Sequence, residues 1–258
     1  MAAVLVTGAS SGIGSATAEA LAHRGWEVYA GTRSTAPEGT TPIELDVTQD
    51  VSHLRELDLT ALVNNAGIAV VGPLEYLPLE ELRRQLEVNT IGQLAVIQAC
   101  LPALRRNRGR IVNVSSISGR VALPLFGPYA ASKFAFEALS DSLRREQTEV
   151  KVSLIEPGSI ATPIWERALE EADELWNAMP AEAHRRHGTL VDAVRRIARD
   201  EDKIPPEEVV EAIVHALTAR RPRTRYVIGR EARISATLAR ALPTPVFDRL
   251  IHGLLNNN

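Results

Sequence analysis

Apolar positions along the chain gather in short, β-branched runs separated by longer stretches with helical spacing. Residues 2–6, 26–31, 43–45, 61–64, 110–115, 151–156 and 226–229 read as buried strands. Helical stretches lie between most of them, notably 15–22, 79–105 and 129–147. Such alternation predicts an α/β fold, a doubly wound parallel sheet with helices on both faces, in a single domain over 1–258. Residues 160–205 break the pattern, being charged, mainly helical and without a strand. They read as a substrate-covering insertion at the carboxyl edge of the sheet, where open α/β folds put their ligands. Residues 231–258 form an amphipathic C-terminal segment, interrupted by Pro243 and Pro245 and expected to pack over the chain's own cleft. Trp165, Trp176 and Met179 in the insertion read as pocket or core wall.

Composition changes this picture little. Hydrophobic residues make up 45% and charged residues 24%, ordinary for a water-soluble globular chain. The net charge of −3 argues against broad electrostatic binding of nucleic acid or anionic membrane. No apolar run reaches the length of a membrane-spanning helix, so no stable membrane insertion is expected. The first strand begins almost at Met1 with no secretory signal before it, and the expectation is a cytoplasmic protein. Cys100 is a lone cysteine inside an apolar helical pattern and reads as a small buried hydrophobe. His184 and His187 lie three apart without a supporting cysteine or carboxylate cluster, so they read as a solvated helix face and no metal site is expected.

The first βα turn carries chemistry. Thr7-Gly8-Ala9-Ser10-Ser11-Gly12-Ile13-Gly14 falls between a strand and an alanine-rich helix. Glycines there let the backbone turn tightly and approach a diphosphate, whose charge rests on the helix N-terminus. That gives the sheet its Rossmann-type reading. Further along come Asn64-Asn65-Ala66-Gly67, Asn89, Ser115-Ser116 and Tyr129-x-x-x-Lys133. Tyr129 and Lys133 lie four apart on one helical face. A lysine there stabilises the phenolate and lowers the tyrosine pKa, as does an oxidised, cationic nicotinamide. Tyr129 thereby becomes a plausible general acid–base.

Together these clusters resemble the short-chain dehydrogenase/reductase family over about residues 3–230. Gly8, Ser10, Ser11, Gly12, Ile13 and Gly14 match its coenzyme turn, and Asn65, Ala66 and Gly67 match the motif ending its fourth strand. Pro157, Gly158, Ile160 and Thr162 match the loop that holds the nicotinamide. Ser116 stands thirteen residues before Tyr129, the family's spacing between catalytic serine and tyrosine, with Ser115 as the competing choice. The resemblance also makes Asn89 the residue that kinks its helix and holds a water beside Lys133; a local side-chain-to-backbone bond is the alternative.

Dinucleotide folds place an acid roughly twenty residues past the glycine turn to bind the ribose 2′-hydroxyl. Here Thr32 occupies that position and Arg33 follows. The missing carboxylate favours NADP(H), with Arg33 as a planar partner for the 2′-phosphate or, alternatively, stacked on the adenine. Asp46 and Val47 resemble the pair that contacts the adenine.

The resemblance implies hydride transfer between NADP(H) and a small-molecule carbonyl or secondary alcohol, with a hydrophobic substrate suggested by Trp165, Trp176 and the C-terminus. Tyr129 would move the proton, Ser116 fix the substrate oxygen, Lys133 hold the ribose, and Asn89 complete a water relay. Residues 31–33 and the long C-terminal part look similar to the steroid- and retinol-dehydrogenase-like branch. Two other readings stay open: an NAD-dependent alcohol dehydrogenase, and a non-catalytic NADP-binding regulator that would need neither Ser116 nor Tyr129. Paired helices in family members imply a homodimer or homotetramer.

Overall fold

The computed structural model describes residues 2–200 and 203–256. In chain order its elements are β1 (Ala3–Thr7), α1 (Gly12–Ala22), β2 (Glu27–Thr32), β3 (Thr41–Glu44), β4 (Ala61–Asn64), α2 (Leu79–Leu86), α3 (Gly92–Arg106) and β5 (Arg110–Val114). There follow α4 (Gly127–Glu146), β6 (Lys151–Pro157), α5 (Pro163–Ala178), α6 (Ala181–Asp200), α7 (Pro206–Thr218), β7 (Arg225–Ile228), α8 (Arg230–Ala241) and α9 (Thr244–Asn256). The strands form one parallel sheet in the order β3-β2-β1-β4-β5-β6-β7. The doubly wound arrangement expected from the sequence is therefore the observed one.

Alternation along the strands sorts side chains between the two layers of helices. Val4, Val6, Val28 and Ala30 face Ala18 and Leu21 of α1 and Val209 and Ile213 of α7. Leu5, Leu62, Ile111 and Val152 face Val96, Cys100 and Leu104 of α3 and Phe136 and Leu143 of α4. Cys100 is a core residue, its thiol pushed up to about 12 by burial. Strand order reverses between β1 and β4, so the carboxyl ends of these two strands diverge into the crevice that open α/β sheets use for ligands.

Three expected elements differ. The helix expected over 79–105 is two helices joined by a π-turn at Glu87–Ile91. Asn89 in that turn accepts from the Ile68 amide and donates to the Ile68 carbonyl, both at 2.9 Å. This long-range pairing outweighs the regular helical ladder. Helix α1 starts at Gly12, three residues earlier than the alanine-rich run suggests, so the glycine turn feeds directly into it. Segment 160–205 holds α5 and α6 and is not free of extended pairing, because Ile160 and Ile204 form an isolated parallel bridge at its base.

The C-terminal helices break at Leu242–Pro243, between α8 and α9. Leu255 of α9 packs with Trp176 of α5 and Leu190 of α6 against Val71, Leu125, Val191 and Val194. Among the described residues no helix is long and apolar enough to cross a membrane.

Candidate active site

The turn after β1 is locked to the end of β4. Thr7 Oγ1 accepts from the amides of Asn65 (2.8 Å) and Ala66 (2.9 Å), while Asn65 Nδ2 donates to the Thr7 carbonyl at 3.0 Å. Gly8 sits at φ +64°, a left-handed conformation that favours glycine. At Gly14 a Cβ would stand 2.2 Å from the Gly8 carbonyl oxygen and 2.6 Å from Asn65 Nδ2, so only glycine allows the helix this close to the turn. Gly12 meets Thr162 and Pro163. The N-terminal ends of α1 and α5 thus converge on one place, where both helix dipoles favour an anion.

A groove of about 540 Å³ runs over this turn, lined by Gly8, Ser10, Ser11, Gly12, Ile13, Thr32, Arg33, Asp46, Val47, Asn65, Ala66, Gly67 and Thr162. Arg33 is 71% exposed and lies 3.7 Å from Asp46, so the cation expected to be free for a phosphate has a carboxylate beside it. Backbone and hydroxyl bonds from Thr48 hold the Asp46 carboxyl below the usual range. Thr32 is buried, its hydroxyl accepting from the Ser34 amide at 3.0 Å. Three lining residues had no local signal in the sequence: Arg84, Arg167 and Glu171. Arg84 of α2 pairs with Glu171 of α5 at 2.6 Å across the groove.

A smaller chamber of about 70 Å³ takes in Ser115, Ser116, Tyr129, Lys133, Pro157, Gly158, Ile160, Thr162, Ile164 and Trp165. Gly14 lies behind the turn and lines neither space. Ser116 caps the short 3₁₀ turn Ile117–Gly119, its Oγ accepting from the Ser118 amide at 3.1 Å. It lines the chamber together with Tyr129, and its hydroxyl weakly favours the tyrosine's ionised form. Ser115 points the other way, toward Glu137, as alternation at the end of a strand requires. Trp165 of α5 stands edge-on to Tyr129, as the sequence's reading of it as pocket wall anticipates.

The electrostatics correct one expectation. The Tyr129 hydroxyl is pushed up to about 12 by burial, with the Ser116 bond pulling weakly against it. The Lys133 ammonium donates to the Val114 carbonyl at 3.0 Å and lies 5.7 Å from the centre of the tyrosine ring, so burial outweighs its pull on the hydroxyl. Burial lowers Lys133 itself to about 8, partly opposed by the charge of Glu137. Asn89 lines neither space; its amide spans from Ile68 to Ser132 Oγ at 3.3 Å. The local bond considered for it is in fact a long-range one. Gln85 does the same for Val70, accepting at 2.7 Å, and sequence reasoning missed it.

His184 packs edge-on to Trp176, and His187 Nε2 lies 3.0 Å from Glu75. Among the described residues no group of three metal-binding side chains occurs.

An elongated groove over a glycine turn at the switch point of a parallel sheet fits a dinucleotide, since the absent Cβ atoms leave the backbone open along it. The family model described as short chain dehydrogenase matches residues 2–173. The chain is 36% identical to mouse (Mus musculus) retinol dehydrogenase 5, covering 98% of this chain and 88% of that protein. It is 34% identical to 3-amino-tetrahydro-pyrrolizinone reductase of Xenorhabdus hominickii, covering 95% and 93%. A short chain dehydrogenase from Burkholderia cenocepacia J2315, solved in complex with NADP, superposes with a TM-score of 0.75 at 31% identity, covering 96% of this chain and 97% of that one. The chain belongs to the short-chain dehydrogenase/reductase family, oxidoreductases whose fold binds a nicotinamide coenzyme.

Proposed function

We propose that this protein is an NADP(H)-dependent oxidoreductase acting on an apolar carbonyl or secondary alcohol, with Tyr129 as the general acid–base. The observation that carries the reading is the convergence of Ser116, Tyr129 and Lys133 on one chamber, with Trp165 as its apolar wall. Bound coenzyme supplies or accepts the hydride. Tyr129 Oη gives its proton to the substrate oxygen in reduction and takes it back in oxidation. Ser116 Oγ bonds the same oxygen and fixes its position. Lys133 holds the coenzyme ribose with its ammonium, and Asn89 keeps Ile68 at the groove edge beside its part in a water relay to Lys133. Pro157, Gly158, Ile160 and Thr162 border the nicotinamide end, and Gly8, Ser10, Ser11, Gly12 and Ile13 the diphosphate.

The absence of a carboxylate at Thr32 and the presence of Arg33 support the phosphorylated coenzyme, as does the NADP in the Burkholderia cenocepacia relative. Asp46 beside Arg33 favours the second reading, an NAD(H)-dependent alcohol dehydrogenase, because it places a negative charge at the ribose end. The relative named for retinol supports an apolar substrate. We read α5 and α6 as the cover of that substrate, with α9 bracing them through Leu255. Phe134 on α4 and Ile91 in the π-turn, exposed apolar side chains, support a homodimer or homotetramer.

The test is a panel of ketones, aldehydes and alcohols assayed with NADPH, NADH and their oxidised forms, beside Tyr129→Phe. We expect turnover with NADP(H) in the parent and none in the variant, whose NADPH affinity stays within about threefold, below about 0.7 kcal/mol. A parent that binds neither coenzyme removes the assignment.

A further inference from the structure

Behind the Ser116–Tyr129 pair lies a buried ionic cluster with no assigned part in the chemistry. Glu156 at the end of β6 is fully buried, and both its oxygens meet Arg120, at 2.6 and 2.8 Å. Arg225 of β7 bonds the same carboxylate at 2.8 Å and also grips Glu137 of α4 and, at 2.7 Å, Asp141. Glu137 stands four residues beyond Lys133 on α4 and is buried with it, so the two side chains share one face of the helix. One of its oxygens, Oε1, is buried without a hydrogen-bond donor. Ser115 Oγ faces this carboxyl and is likewise buried without a well-formed partner. Gly119 closes the space, because a Cβ there would stand 2.8 Å from Glu137 Cγ and 3.0 Å from Ser115 Oγ.

A buried ammonium without a counter-charge gives up its proton. Lys133 has one neutral acceptor, the Val114 carbonyl. The groups facing it are the neutral Tyr129 and Glu137 on its own helix and the hydroxyls of Ser115 and Ser116 after β5. Those facing Glu137 are Arg225 from β7, Glu156 from β6 and Asp141 one turn on, the last two through Arg225. Burial and the charge of Glu156 raise the Glu137 carboxyl above its usual range, and the bonds from Ser115 and Arg225 pull it back toward the ionised form.

We propose that Glu137 is a positioning residue for the chemistry at Tyr129, the buried counter-ion that keeps the Lys133 ammonium charged, itself oriented by Arg225 and Ser115. Its effect on turnover rests on the oxidoreductase reading; its effect on Lys133 does not.

Lys133, Lys151 and Lys203 are the only lysines in the sequence, so a chain labelled with ¹³C-lysine gives three side-chain signals to follow with pH. In the full-length parent the Lys133 signal should titrate near 8, as its surroundings dictate. In Glu137→Gln the midpoint should fall by about one pH unit or more, the effect of removing an opposite charge at this range. Glu137→Asp should recover part of the fall. This variant keeps a charge for Arg225 and covers the case in which Glu137→Gln does not fold; its midpoint should still lie below the parent's, because the shorter side chain draws the carboxylate back from Lys133. The loss of kcat/KM at alkaline pH should move with the midpoint in each folded variant. An unchanged Lys133 midpoint in a folded variant overturns the proposal. A parent that binds no coenzyme but shows the shift overturns the oxidoreductase reading and leaves the coupling of Glu137 to Lys133 standing.

Discussion

Trp165 on α5 stands edge-on to Tyr129, with ring centres 5.4 Å apart and planes at 70°, and Phe126 packs edge-on to the same indole at 5.8 Å. Helix α5 therefore touches the tyrosine ring itself. Aromatic pairs of this kind are worth about 0.5–1.5 kcal/mol beyond their buried area. Trp165→Ala should lower kcat/KM for an apolar ketone by about tenfold, with coenzyme affinity within about threefold, and Trp165→Phe should retain most of the activity. Steady-state kinetics with coenzyme binding measured separately checks this; equal loss in both quantities would make Trp165 a general packing residue.

Tyr129, raised to about 12, stays a phenol across the working range, whereas Lys133, lowered to about 8, loses its charge within it. Reductive kcat/KM should be level below about pH 7 and fall with slope approaching tenfold per pH unit above the Lys133 midpoint. Stability gives an independent reading. The folded pKa of Lys133 lies below its unfolded value, so the unfolded chain binds more protons between about 8 and 10.5. The coenzyme-free parent should gain stability relative to Lys133→Met as pH rises through that window, by on the order of 2–3 kcal/mol. Urea unfolding at a series of pH values would contradict the assignment if the difference stays flat.

Gly14→Ala should cost coenzyme affinity by at least about tenfold, or 1.4 kcal/mol. The added methyl meets the Gly8 carbonyl and the Asn65 amide, and relieving it displaces the turn that frames the groove. Fluorescence titration with NADPH measures the loss, and an unchanged affinity would mean that the turn does not support the coenzyme. At Gly188, where nothing stands within 4 Å of an added Cβ, the same exchange should leave affinity unaltered.

Thr32→Asp combined with Arg33→Gln should turn preference from NADPH toward NADH. The new carboxylate repels a 2′-phosphate and accepts from a 2′-hydroxyl, and loss of Arg33 removes a charge-assisted bond of about 1.5–3 kcal/mol. The ratio of kcat/KM values should move by about a hundredfold or more. Parallel titrations of the parent and the variant decide it; a parent already preferring NADH would assign Arg33 to Asp46 alone.

Glu156→Gln should destabilise the fold without touching the groove. Breaking a buried ion pair by neutralising one partner costs about 3–5 kcal/mol. Arg120 and Arg225 keep 29% and 27% of their side-chain surface, which favours the lower end, about 3 kcal/mol. Thermal unfolding should shift down by about 6–12 °C. A shift under about 2 °C would show that water already screens the cluster.

What the sequence made legible was local. The apolar run at Val4, Leu5 and Val6 and the four-residue spacing of Tyr129 and Lys133 depend on neighbours along the chain, and the sheet and the shared helix face followed from them. The π-turn at Asn89 was legible only as a mediocre helix former, because its cause is Ile68 on another segment. The direction of the Tyr129 shift was misread for the same reason. A lysine one turn away is visible in the sequence; the burial that outweighs it is assembled from α5 and the β5 loop. Glu137 carried a faint signal as a charge one turn past Lys133, and Glu156 as a charge inside an apolar run. Neither disclosed its partner on β7.

That partner is distant along the chain. Arg225 and Glu137 are separated by 88 positions along the chain, and β7 joins the sheet through β6 alone. Contacts of such separation form at the cost of closing a long loop. Until this strand docks, the carboxylates of α4 and β6 repel one another with no guanidinium from β7 between them. A chain that has not made that pairing can carry Ser116, Tyr129 and Lys133 in their proper order and still lack the charge balance around them, so the edge strand completes the interior behind the chamber as well as the sheet.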